Sequence, residues 1–186
     1  MPTPSPGFSD MLRWGAAIIR PRLRIREQGR TRKKVVTAGH TQVNLVRLWI
    51  QNYGFGMRAR ECGVYLNRIT FGGEDRENER SPLRWTDINT FDPQTVNWGE
   101  GSMMPVDLCE VFQSDGLLRI DSRKAITGGL TYNRTGTYTF EVSTDAPSPV
   151  SNDRVFVDVY YDTKDWTSLK VIGFHHKRRW PRVWTF

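Results

Sequence analysis

The stretch "GTYTFEVSTDAPSPVSNDRVFVDVYYD", residues 136–162, decides the fold. Tyr138, Phe140 and Val142 alternate with Thr137, Thr139 and Glu141. After a Pro/Ser-rich connection, Val155, Val157, Val159 and Tyr161 take one face of a second run. A period of two over this length is what a half-buried strand shows, and Pro, Asn and Asp between two such runs mark a turn.

The same signal extends outward through the chain. "VNLVRLWIQN" (43–52) is apolar on both faces for much of its length, as a central strand would be, and ends in the turn "NYGFG". "ECGVYLNRITF" follows as the next strand, with Cys62, Val64 and Leu66 on one face. "GGEDRENERS" reads as a charged, exposed loop and "PLRWTDI" as a short strand. "DPQTVNWGEGS" reads as a connection. "MPVDLCEVF" alternates, "GLLRI" reads as a short edge strand, and "SLKVIGF" closes the set. About seven to nine short strands without an intervening helical pattern disfavour a parallel βαβ sheet. They predict an all-β, antiparallel β-sandwich around a single core. Nothing repeats at a fixed period, which excludes solenoids and propellers.

In 186 residues this means one domain with tails. Residues 1–21 read as a Pro/Ser-rich tail with a short helix over "SDMLRWGAAII", ended by Pro21. Residues 22–174 form the sandwich, and 175–186 form a basic, Trp-containing C-terminal tail. The helix is expected to pack on the domain. The apolar run "WGAAII" is too short for a membrane span or a secretory signal, which favours a cytoplasmic protein and makes a membrane partner improbable. Cys62 and Cys109 sit in apolar strand patterns, and buried free thiols are expected.

Charge is uneven. Residues 1–34 hold nine of the 27 basic residues and two of the 20 acidic ones, leaving eighteen of each sign in the body. The excess lies in "IIRPRLRIREQGRTRKKVV" (18–36). There, Leu23 and Ile25 alternate with Arg22, Arg24 and Arg26, the pattern of a half-buried edge strand carrying arginines about 7 Å apart. "EQGR" then turns the chain before Val35 and Val36. A second basic stretch, "HHKRRWPRVW" (175–184), interleaves cations with Trp180 and Trp184. Such a composition suits single-stranded nucleic acid, but equally an amphipathic tail packing its tryptophans on the body. The candidate residues for an acidic partner or nucleic acid are Arg22, Arg24, Arg26, Arg30, Arg32, Lys33, Lys34, Lys177, Arg178, Arg179, Trp180 and Arg182.

Catalytic constellations are missing from the sequence: there is no P-loop, G-x-G-x-x-G, G-x-S-x-G or H-E-x-x-H. His175 and His176 fall on opposite faces of a strand, with no clustered carboxylate or thiol nearby. Glu74, Asp75 and Glu77, or Asp162 and Asp165, could hold Ca²⁺, but interleaved Arg76 and Lys164 favour solvated loops. No metal, cofactor or enzymatic activity is expected.

"VRLWIQNYGFGMRARECGVYLNRITF" resembles the B-to-C strand hairpin of immunoglobulin-like modules in bacterial and archaeal proteins, including the CARDB type. Asn52, Gly54 and Ala59 carry that likeness. "NRTGTYTFEV" is similar to the start of strand F in such domains, with Tyr138 as the corner tyrosine. Phe140 stands where antibody domains carry cysteine, and no Trp occupies strand C. The resemblance covers roughly residues 22–172 and implies a binding, spacing or adhesion unit without catalytic residues. It leads to a non-enzymatic module engaging a protein partner, with a basic stripe for an acidic one. A small viral capsid or nucleic-acid-binding structural protein is the second expectation. An enzyme or carbohydrate-binding sandwich using exposed Trp85 and Trp98 as sugar platforms is the third and ranks last.

Overall fold

The computed structural model describes residues 20–27, 36–38, 41–54, 56–77, 79–99, 102–123 and 130–177. The expected N-terminal helix lies outside the described residues, as do residues 28–30 of the "EQGR" turn, whose Glu27 ends a strand, and all but the first three residues (His175, His176 and Lys177) of the C-terminal tail. Among the described residues the strands are β1 (Leu23–Glu27), β2 (Val36–Ala38), β3 (Thr41–Asn52), β4 (Ala59–Phe71), β5 (Glu74–Glu77), β6 (Ser81–Pro82) and β7 (Gln94–Val96). They continue with β8 (Met104–Phe112), β9 (Leu118–Ile120), β10 (Thr131–Tyr132), β11 (Gly136–Asp145), β12 (Arg154–Asp162) and β13 (Asp165–His176). All pair antiparallel. One sheet runs β1-β3-β8-β9-β10 with β2 also on β3. The other runs β13-β12-β11-β4-β5 with β6 and β7 also on β4.

The two sheets share one core. Ile25, Leu48, Val106 and Ile120 from the first meet Leu66, Ile69, Phe140 and Val157 from the second. The β11–β12 register sets Tyr138 opposite Val159, Phe140 opposite Val157 and Val142 opposite Val155. All six are at most 1% exposed. At about 1.5–3 kcal/mol for each large apolar side chain withdrawn from water, these facing rows are the main adhesive between the sheets. As expected, β3 is central: β1 and β2 lie on one side of it and β8 on the other.

Several expectations change. The charged run after Phe71 is not a loop. Gly72 and Gly73, with φ of +60° and +84°, supply the positive-φ pair that a two-residue hairpin turn needs. The chain returns as β5, with Phe71 opposite Glu74 and Thr70 opposite Asp75. Charged composition hid a strand because β5 is a sheet edge, where charges are tolerated and deter pairing. "QTV" in the presumed connection forms β7 against Ala59 and Cys62. β9 is internal, since β10 pairs with it. Strict alternation also fails in β8. An irregularity opposite Val46/Arg47 leaves Leu108 and Cys109, neighbours in sequence, both fully buried.

Trp85 is 1% exposed and bridges Val106 and Thr90, so it cannot serve as a sugar platform. Leu83 likewise bridges Ser122. Residues 83–85 therefore join the first sheet directly after β6 has paired with the second. Cys62 and Cys109 are buried free thiols, as expected. Burial pushes the Cys62 thiol up to about 11 and Cys109 higher still, so neither is a ready nucleophile.

Candidate functional site

The basic stripe is folded. Leu23 and Ile25 are 3% and 0% exposed, while Arg24 and Arg26 on β1, and Arg22 just before it, are exposed at the edge of the first sheet. An edge strand leaves every second backbone amide without a ladder partner. Here those amides are taken by the opposite sheet's leading segment. Leu23 N–H donates to Ser151 O at 2.9 Å, and Ile25 N–H donates to Asp153 Oδ2 at 2.9 Å. Ser151 N–H returns a bond to Pro21 O at 3.0 Å, and Arg22 forms a parallel bridge with Ser151. β1 is thus fastened to both sheets.

Asp153 is the fastening point. Its Oδ1 accepts from Arg154 N–H at 2.9 Å, and its own N–H donates to Thr144 Oγ1 at 2.8 Å. His176 Nδ1 lies 3.2 Å from Oδ2. Lys177 N–H donates to Arg154 O at 2.9 Å, which carries the end of β13 alongside the start of β12. The result is an open cleft of about 510 Å³ whose walls include Arg24, Tyr53, Asp153, Arg154, His176 and Lys177. Two basic stretches some 150 residues apart in sequence meet there through Arg24 and Lys177. Arg154 pairs with Glu141 at 3.1 Å, but among the described residues no carboxylate lies within ion-pair distance of Arg24 or Lys177.

Of the other predicted residues, Arg22 sits on the Ser151 bridge, and Arg26 lies opposite Trp49, away from the cleft. Arg30, Arg32, Lys33, Lys34, Arg178, Arg179, Trp180 and Arg182 fall outside the described residues. Tyr53, Arg154 and His176 were not foreseen: nothing in the local pattern of "NDR" or "NYG" tells that a sheet seam runs beside them. The expectation that the histidines lack carboxylates is corrected. His175 and His176 are the last residues of β13, not of a tail, and antiparallel pairing brings Asp158 to 3.6 Å of the first and Asp153 to the second. Among the described residues no group of three His, Cys, Asp or Glu side chains is arranged to hold a metal.

A second cleft, of about 580 Å³, lies on the other side of the Pro21–Ser151 junction. Pro21, Met57, Pro147, Pro149 and Val150 line it together with Arg58 and Arg60. Asn52, fully buried, holds the seam together. Its Oδ1 accepts from Arg22 N–H and Gly54 N–H, both at 3.2 Å. Its Nδ2 donates to Met57 O at 2.7 Å and Val96 O at 3.2 Å. A Cβ on Gly54 would stand 2.2 Å from Arg20 O, so only glycine lets the turn pass this close beneath the stripe. Ala59 is fully buried.

Several of the remaining charges are internally matched. Arg47 grips Asp107 with two bonds, at 2.6 and 3.1 Å, where both side chains are about one-tenth exposed. Arg84 pairs with the nearly buried Asp121 at 2.9 Å. Burial raises the carboxyl of Asp121, and burial together with Asp121 raises that of Glu110. The β5 carboxylates Glu74 and Asp75 are paired with Arg76 and Arg68, respectively. Among the described residues no helix is long and apolar enough to cross a membrane. The chain matches no protein-family model, and no curated protein or solved structure is significantly similar to it.

Proposed function

We propose that the chain is an immunoglobulin-like, non-enzymatic interaction module, akin to the CARDB type, that docks an acidic protein partner on its basic edge. The observation that carries this reading is the convergence of Arg24 and Lys177, exposed cations without a described ion-pair partner, on one cleft. The immunoglobulin-like assignment draws support from the passage of residues 83–85 between the sheets and from the corner at Tyr138. Tyr138 opens β11, and its hydroxyl donates to Arg134 O at 2.8 Å, the bond made by a corner tyrosine. The absence of a recognisable catalytic set in the sequence is consistent with a binding role.

Cross-linking and pull-down with the full chain tests the reading. The expected result is recovery of a protein partner whose binding weakens as salt rises from low to physiological strength, the screening expected of exposed charges. A second reading, a capsid or other nucleic-acid-binding structural protein, draws on the same convergence of cations. Assembly into large particles on size-exclusion chromatography, with co-eluting nucleic acid, would replace the first reading with this one.

A further inference from the structure

The two clefts flanking the Pro21–Ser151 junction differ in character, and together they describe one ligand. On one side Arg24, Arg154 and Lys177 surround the cleft, with half-exposed Tyr53 at its margin. On the other, Met57, Pro147, Pro149 and Val150 give an apolar surface, edged by Arg58, Arg60 and Glu61. The junction between them is short. Pro21 and Leu23 on one chain segment are joined to Ser151 on the other by the two hydrogen bonds that fasten β1, and Val150 precedes Ser151 on that segment. Tyr53 and Met57 belong to the same turn, organised by Asn52.

We infer that this seam is a two-part docking site for an extended acidic segment of another protein that carries an apolar side chain beside its carboxylates. The inference rests on the interaction-module reading and makes it specific. The carboxylates seat against Arg24, Arg154 and Lys177. The apolar side chain rests on Met57 and the proline-lined surface, where burial adds a contribution that salt does not screen. Two features select a peptide over a nucleic acid. Asp153 lies in the floor of the cationic cleft, both its oxygens held by backbone amides. A phosphate chain, charged at every step, cannot avoid it, whereas a peptide places its carboxylates only where cations wait. The second cleft, although Arg58 and Arg60 lie in its wall, also holds Glu61, and its Met57–proline surface offers contacts that only an apolar side chain can use. The edge amides of Leu23 and Ile25 are already bonded, so side chains rather than added-strand pairing provide recognition at those positions.

Fluorescence anisotropy with the full chain decides the matter, using three labelled probes: a peptide mixing glutamate with leucine, an all-glutamate peptide, and oligothymidylate. Arg24 and Lys177 are exposed, so Arg24→Ala/Lys177→Ala keeps the fold, which an unchanged melting temperature verifies. The double variant is expected to weaken both peptides about tenfold at low salt. Met57→Ala is expected to weaken the glutamate–leucine peptide about threefold and leave the all-glutamate peptide unchanged. Equal binding of both peptides, untouched by Met57→Ala, overturns the two-part site. Peptide binding that ignores the double variant moves the site away from the seam but leaves the interaction module standing. If neither peptide binds, the seam and the module reading fall together, and salt-dependent capture of oligothymidylate then points to the nucleic-acid reading.

Discussion

The β11–β12 pair and the β3–β8 pair are both central, and they solve the problem of burial in opposite ways. In the first, one face is apolar and fully buried, while Thr137, Thr139, Glu141 and Asp158 occupy the other. The face is apolar because it touches only the opposite sheet. In the second, both faces are withdrawn from water. Val46, Leu48 and Ile50 enter the core. Alternating with them, Val43, Leu45 and Gln51 are also at most 7% exposed, and Arg47 sits against Asp107. The first pair is held by area and the second partly by matched charge. The two kinds of adhesion fail differently when a residue is removed.

The largest effects come from breaking each pair at its centre. Phe140→Ala leaves a cavity and is expected to cost about 3–5 kcal/mol in urea unfolding. Asp107→Ala strands the guanidinium of Arg47 in a largely dry site and is expected to cost a similar amount, about 3–5 kcal/mol. What separates the two regions is rescue. Arg47→Met/Asp107→Leu removes both charges and should recover most of the loss, because the desolvation of each ion disappears with it. No single partner change rescues Phe140→Ala. If the double variant is as unstable as Asp107→Ala, the ion pair contributes more than its geometry implies and the contrast fails.

A smaller effect is expected at the turn that supports the cleft. Gly54→Ala drives a methyl group into the backbone of Arg20, Pro21 and Arg22, and forcing them apart should cost about 1–3 kcal/mol. The accompanying readout is loss of protection from hydrogen exchange at the amides of Leu23 and Ile25, since the shift pulls β1 off Ser151 and Asp153. Unchanged protection there would mean the turn, not β1, absorbs the strain. Tyr138→Phe is milder. It removes only the bond to Arg134 O and should cost about 1 kcal/mol, with the apolar ring still in place against Phe71.

The same contrast explains what the sequence made legible. The alternation in β11, β12 and β1 was readable because one face of each is polar, and period-two contrast is the signal itself. β8 was half readable: a bulge breaks the period, and no composition rule marks where a bulge falls. β5 was hidden because a short charged strand at a sheet margin buries almost nothing and looks like loop, and β7 because three residues, of which only Val96 is buried, are too few to show a period. Asn52, Gly54 and Ala59 stood out in the sequence, and each has a packing reason. The cleft was legible only at its two basic ends. Asp153 and His176 become partners through strand pairing across a seam, which no local pattern encodes.

The last prediction is the smallest and concerns proton uptake in the first sheet. Glu110 and Asp121 hold their protons more tightly folded than unfolded, chiefly because burial disfavours the charged form. The folded state therefore binds more protons than the unfolded state between the ordinary carboxylate range and the raised value. Stability from these groups must then rise as pH falls from neutral through that window and level off below it. Glu110→Gln abolishes one such group. It should be slightly more stable than the parent protein at neutral pH, with the advantage shrinking as acid protonates Glu110 in the parent. Thermal melts of both proteins across mildly acidic pH compare the two curves directly. Parallel curves would mean that Arg84 and Arg119 already compensate the buried carboxylate. A widening gap on acidification would mean the sign is reversed and that the charged form of Glu110 is the one the fold prefers.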